Sequence, residues 1–151
     1  LISSARMINN GMPVHVTNQI VRIFHAHGID SSRSSALILG WSYKPGIGDV
    51  RGTPSLDLAN NLISMGVGVH VWDPYVAEGD VPEGIGTIES AKEIENFDII
   101  IIATAHADFL KLNWRDIGTK MRNKIIFDGR RCLDLEKLTE LGWHSYAIGR
   151  P

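Results

Sequence analysis

At 151 residues, 44% hydrophobic and 21% charged, the chain is long enough for one domain with a substantial core and has the make-up of a soluble globular protein. A net charge of −2 with no basic stripe argues against nucleic-acid binding, and no apolar run reaches the roughly 20 residues that span a bilayer. The single cysteine, Cys132, excludes an internal disulfide and suits a reducing, cytoplasmic setting.

The first stretch, Leu1 to His27, reads as helical. Val16, Ile20, Val21, Ile23 and Phe24 recur at helical spacing, Gly28 ends the run, and Pro13 predicts a kink or a restart. Arg6, Asn9 and Asn10 interrupt it too early for a signal peptide. A start at Leu1 rather than Met is expected of a piece of a longer chain. The apolar positions exceed what one helix face on a small sheet needs, so packing against another copy or another domain is expected. His15 reads as a surface histidine.

A buried strand follows at Ala36 to Leu39, and Gly40 lets the chain leave it. The next loop holds Tyr43, Lys44, Gly46, Gly48, Asp49, Arg51 and Gly52, and Thr53-Pro54 reads as the cap and first residue of a helix. Strand, Gly-rich basic loop and helix N-terminus form a layout for an anion, with free N–H groups at the helix end and full charges on Lys44 and Arg51. An ordinary strand-to-helix connection with two solvated cations fits the same residues. A dinucleotide site would show G-x-G-x-x-G directly after the strand. Here the run is Gly40-Trp41-Ser42-Tyr43-Lys44-Pro45, with large side chains where backbone would touch a pyrophosphate. The loop therefore suits a mononucleotide or sugar nucleotide, with Tyr43 able to stack on a base.

The helix predicted from Pro54 to Met65 turns Leu56, Ala59, Leu62 and Ile63 inward and stops at Gly66. Gly68 to Asp73 alternates as a strand, Val69 and Val71 facing one way and His70 and Trp72 the other. Asp73, followed by Pro74, reads as a turn residue rather than a ribose ligand. Ala77 to Gly86 is a surface loop, Gly86 to Ile88 a short edge strand, and Ser90 to Glu95 a short helix. Asp98 to Ala103 is an unbroken apolar run suited to a central parallel strand. Short helices at Asp108 to Leu112 and Trp114 to Lys120 precede a strand at Lys124 to Phe127. A helix at Leu133 to Leu141, with Leu135, Leu138 and Leu141 inward, and a strand at His144 to Ile148 complete the chain.

This alternation predicts an α/β, Rossmann-like three-layer sandwich with a mainly parallel sheet, preceded by an N-terminal helix. Ligands of such sheets bind beyond the carboxyl ends of the strands. Three polar groups fall there and are expected to converge: the 41–53 loop, Thr104 to His106, and Asp128 to Arg131. An arginine fork after Gly129 suits a phosphate, and Lys44 adds a point charge. Surface salt bridging is the alternative for Arg130 and Arg131, and one of the two is expected to do no more than that. Cys132 follows the arginine pair, where a thiolate would be stabilised, but a small core residue is the better reading. The six histidines form no zinc spacing, and no metal site is expected.

Four blocks occur in order along the chain: Ala5-Arg6-Met7-Ile8-Asn9-Asn10-Gly11-Met12-Pro13, then Gly40 to Ser55, then Trp72-Asp73-Pro74, then Phe127 to Arg131. Together they resemble the C-terminal UDP-binding domain of the UDP-glucose/GDP-mannose dehydrogenase family. The resemblance covers nearly the whole chain. It implies that residues 1–30 are a connecting and dimerisation segment and that residues 31–151 bind a UDP-sugar. It implies Tyr43 against the uracil, Lys44 and Arg130 on the diphosphate, and Arg51, held by Asp49, directed across a cleft toward NAD. The NAD itself would be bound mainly by an N-terminal domain absent from this chain. The family's reaction needs a reactive cysteine in a glycine-rich block with a lysine and an asparagine, and that block is missing here. No catalytic residue is therefore expected in the chain, which alone should be inactive. A homodimer or higher oligomer is implied, and an N-acetylhexosamine is favoured over glucose as the sugar. A non-catalytic α/β nucleotide-binding or regulatory module is the alternative. A receiver-like domain is a weaker one, because no strand end carries an acidic pair.

Overall fold

The computed structural model describes the backbone of residues 2–149 and the side chains of residues 12–149. Helix α1 (Ile2–Ala26) leads into β1 (Ser35–Leu39), α2 (Pro54–Ser64), β2 (Gly68–Trp72) and β3 (Gly86–Thr87). Then come β4 (Ile99–Ile102), α3 (Ala107–Leu110), α4 (Trp114–Lys120), β5 (Ile125–Asp128), α5 (Leu135–Glu140) and β6 (His144–Ala147). All neighbouring strands pair parallel, in the order β3-β2-β1-β4-β5-β6. This is the doubly wound Rossmann order, and its direction reverses between β1 and β4.

The strand residues explain the layers. Four consecutive isoleucines, Ile99 to Ile102, are all buried, because β4 has helices over both faces. Ile99 and Ile101 join Ala36, Ile38, Val69 and Val71 on the face covered by α1 and α2. Ile100 and Ile102 join Leu37, Leu39 and Ile126 on the face covered by α3, α4 and α5. Each fully buried isoleucine stabilises the fold by about 1.5–3 kcal/mol. The expected alternation in β2 holds: Val69 and Val71 face α1 and α2, while Trp72 packs on Phe109 with ring centroids 5.6 Å apart.

Several expectations are corrected. Helix α1 runs through Pro13 without a break. A proline removes one backbone donor, and the turns beyond it are held by burial of Val16, Ile20, Ile23 and Phe24 against the sheet and α2. These four residues share the sheet's own core, while Val14 on the same helix is exposed. The expectations for Leu1, and for the side chains of Asn9 and Asn10, lie outside the described residues. On α2 the inward face holds Leu58, Ala59 and Leu62, with Leu56 partly buried against the same cluster as expected, while Ile63 is exposed. Residues 90–95 form only a 3-10 turn at Ala91–Glu93, closed by a capping box between Ser90 and Glu93. Helix α5 starts two residues later than expected, because Asp134 caps it by accepting the Lys137 amide.

At the amino-terminal end of the sheet, Asp98 ties three segments together. Its carboxylate accepts the Ser35 amide at 2.8 Å, Arg122 Nη1 at 3.0 Å and Asn123 Nδ2 at 2.8 Å.

Candidate functional site

A cleft of about 650 Å³ opens beyond the carboxyl ends of β4 and β5, at the point where the strand order reverses. One wall is the loop after β1, with Ser42, Tyr43, Lys44 and Pro45. The floor is the end of β4, Ile101 to Ala103, and Gly129 with Arg130 after β5. The first turn of α2 adds Pro54, Ser55 and Asp57, and α1 closes the far side with Met12, Pro13 and Val16. Tyr43 and Lys44 therefore face one space with Arg130, which is far from them in sequence. Arg51 lies outside that lining.

Each position has a local cause. Gly40 leaves β1 with φ +103°, and a Cβ there would lie 2.6 Å from Thr104 N. The chain then turns onto Asp73, whose buried carboxylate accepts the amides of Trp41 at 2.7 Å, Ser42 at 2.8 Å and Tyr75 at 2.9 Å. Thr104 Oγ1 donates to Ser42 O at 2.8 Å, and Tyr43 N donates to Asp49 O at 2.7 Å, closing the loop on itself. A Cβ at Gly48 would overlap Tyr75 O, so this glycine serves the packing of the loop on the 73–75 turn.

Asp128 arranges the arginines. It is the buried last residue of β5, and its carboxylate accepts the Arg130 amide at 3.0 Å and the Leu133 amide at 2.8 Å. Gly129 fits because its amide donates to Ile102 O at 3.0 Å, where a Cβ would lie 2.7 Å away. Arg130 lines the cleft, whereas Arg131, at φ +54°, lies outside the lining.

The N-terminus of α2 departs from expectation. Pro54 has no N–H, Ser55 N donates to Thr53 Oγ1 at 3.2 Å, and Leu56 N donates to Thr53 O at 3.3 Å. The cap has thus taken backbone donors that an anion would use. What α2 offers the cleft is its dipole and side chains, with Ser55 Oγ already donating to Gly40 O at 3.0 Å.

The electrostatics follow from these contacts. Burial pushes the Asp73 carboxyl up, but hydrogen bonds from Ser42, His106, Trp41 and Tyr75 outweigh it and hold it below the usual carboxylate range. Asp49 grips Arg51 through two contacts of 3.0 and 2.9 Å, and these hold the Asp49 carboxyl down at about 2. Cys132 behaves oppositely to a thiolate beside arginines. Burial, then the charge of Asp128 and a contact of 3.8 Å to it, push the thiol up to about 11. It is half-buried in the core beside α5 and carries no nucleophile at neutral pH.

These residues do not fit a nicotinamide dinucleotide. The strand-end acid that would take ribose hydroxyls has its oxygens engaged by three backbone amides and His106. Trp41 is buried at 1% exposure in the first turn, where backbone would need to meet a pyrophosphate.

Tyr43, Lys44 and Arg130, named from the loop's composition and the family resemblance, line this cleft together. Sequence reasoning missed the contribution of α1 to the cleft, and Asp57. It also placed Thr104 to His106 at the crevice. Thr104 and His106 are instead buried beneath the 41–49 loop, at 1% and 0% exposure. Their apolar flanks, with β4 before and Phe109 after, were the available signal.

The description "UDP-glucose/GDP-mannose dehydrogenase family, UDP binding domain" belongs to the family model that matches residues 37–135. The chain is 35% identical over 151 residues to UDP-N-acetyl-D-mannosamine dehydrogenase of Pyrococcus horikoshii, covering 99% of this chain and 34% of that protein. It is 30% identical over 146 residues to UDP-glucose 6-dehydrogenase of Rickettsia conorii, covering 93% of this chain and 33% of that protein. The solved structure of the UDP-D-ManNAc dehydrogenase from Pyrococcus horikoshii superposes with a TM-score of 0.82 at 34% identity, over 97% of this chain and 32% of that one. The chain thus spans about a third of the length of the curated relatives it matches.

Proposed function

The chain belongs to the UDP-glucose/GDP-mannose dehydrogenase family, and from that premise we propose that it is the UDP-sugar-binding part of an NAD-dependent UDP-sugar 6-dehydrogenase. The observation that carries this reading is the meeting of Tyr43, Lys44 and Arg130 in one cleft at the switch point of the sheet. Arg130 and Lys44 neutralise the diphosphate, and the exposed Tyr43 ring stacks on the uracil. Asp57 gives the same cleft an acceptor for hydroxyl groups. Residues 31–151 form the binding unit, and residues 1–30 are the connecting and dimerising segment, whose Met12, Pro13 and Val16 close one side of the cleft.

Arg51 serves the cofactor side. Its side chain is 89% exposed and aimed by Asp49. NAD and the catalytic cysteine belong to a domain outside this chain, which supplies hydride acceptance and covalent chemistry. The chain alone transfers no hydride. The substrate is a UDP-N-acetylhexosamine or UDP-glucose, the first favoured, and the enzyme acts in the cytoplasm as a homodimer or higher oligomer making sugar acids for polysaccharide. Calorimetric titration with UDP, UDP-glucose and UDP-N-acetylmannosamine tests the ligand class. Micromolar binding of all three, with GDP titrated in parallel and bound more weakly than UDP, supports it, and tighter binding of GDP than of UDP would overturn it.

A further inference from the structure

Under the Tyr43-Lys44-Pro45 stretch lies a titratable group that the binding reading does not use. His106 is fully buried, its ring between Tyr75 and Phe109 at centroid distances of 4.7 and 5.3 Å. Its Nδ1 accepts the Gly46 amide at 2.9 Å. A backbone N–H only donates, so Nδ1 carries no proton. The ring proton is therefore on Nε2, which lies 3.0 Å from Asp73 Oδ2 and 3.0 Å from Ser42 Oγ. The single Nε2–H is shared between the Asp73 and Ser42 oxygens, and the Ser42 hydroxyl is left to donate to Lys44 O at 3.3 Å. One neutral imidazole thus holds both ends of the Tyr43-Lys44-Pro45 stretch, Ser42 before it and Gly46 after. This is not a nucleophile relay. Ser42 and Asp73 meet the same ring nitrogen, and Ser42 is 2% exposed.

We propose that His106 is a positioning residue: as the Nε2–H tautomer it fixes the loop that presents Tyr43 and Lys44 to the nucleotide. The inference rests on the UDP-sugar reading for the identity of that nucleotide, and on the loop geometry alone for the clamp. Asparagine at this position keeps an acceptor where Nδ1 stands, facing Gly46. Glutamine keeps a donor where Nε2 stands, facing Asp73, and loses the acceptor.

The test has a ligand-free half and a ligand half, both on the 151-residue chain. Imidazole ¹⁵N spectra of the unmodified chain at about pH 8 should show His106 with an unprotonated Nδ1 and a protonated Nε2. His106→Gln should speed hydrogen exchange of the Gly46 amide at least about tenfold, and His106→Asn should leave it within about threefold. UDP affinity should fall by about 2- to 13-fold in His106→Gln, the equivalent of one neutral hydrogen bond, and by a similar factor in His106→Asn, which loses the Nε2 donor toward Ser42 and Asp73. A protonated Nδ1 overturns the proposal without any variant. So does a glutamine variant with unchanged Gly46 exchange, or UDP affinity unchanged in both variants. If the unmodified chain binds no UDP, the ligand reading falls, and Gly46 exchange decides the clamp by itself.

Discussion

Asp73 Oδ2 accepts the amide of Trp41 at 2.7 Å, joining the end of β2 to the first residue of the loop that leaves β1. The same oxygen takes the Ser42 amide and meets His106 Nε2, so one carboxylate sets the path of the cleft wall. Asp73→Asn should cost about 2–3 kcal/mol at neutral pH, as an amide cannot match charge-assisted acceptance from these donors. The sign of the pH effect follows from the lowered folded-state value. Asp73 contributes stability above its unfolded value near 3.8, lost as pH falls toward the lower folded value. Urea unfolding between about pH 7 and pH 3 should show a weaker loss in the asparagine variant than in the unmodified chain. Parallel losses would mean that other carboxylates carry the acid limb.

Gly40→Ala should destabilise the chain by about 2–4 kcal/mol, through its positive φ and the overlap with Thr104. Thermal denaturation reads this directly. A variant as stable as the original would show that the β1 exit has room the structure does not give it.

Cys132 should alkylate slowly at about pH 8, because its thiol is pushed up to about 11. Mass spectrometry after iodoacetamide treatment should find mostly unmodified protein in the native state and full modification in urea. Cys132→Ala in the full-length enzyme should leave kcat unchanged within about twofold, the cost falling on packing. Rapid native labelling would reopen a chemical role.

Much of this site was legible from residue order. Ile99 to Ile102 declared a central strand, and Thr53-Pro54 marked the start of α2 where the structure has it. Lys44 drew attention as a cation in a glycine-rich loop past a strand end, and Arg130 was chosen over Arg131 by its place in the block that resembles the family; the structure puts both on one cleft. The Asp73 and His106 network was not legible, since its members stand 31 to 64 residues apart and only burial reveals them. The continuity of α1 was missed for a related reason. A local rule about proline was outweighed by the packing of Ile20 and Phe24, which are at most 1% exposed. The apolar spacing of α1 also gave no sign that its Met12 and Val16 overhang a cleft.

Arg51→Ala in the full-length enzyme should raise the KM for NAD about 10- to 150-fold and leave the KM for the UDP-sugar within about twofold, given one lost charge-assisted contact. Removing Asp49 should produce a smaller change in the same direction, since the pair is what aims the arginine. A rise confined to the UDP-sugar KM would place Arg51 on the substrate side of the cleft instead.

The proposed seat of UDP is the cleft shared by Tyr43, Lys44 and Arg130, and calorimetric titration of UDP into the unmodified chain, Arg130→Ala and Arg51→Ala tests it most directly. A charge-assisted hydrogen bond is worth about 1.5–3 kcal/mol, so Arg130→Ala should weaken UDP by roughly 10- to 150-fold. Arg51→Ala should bind within about twofold of the unmodified chain. Equal losses from the two arginines, or unchanged affinity in Arg130→Ala, would contradict the assignment.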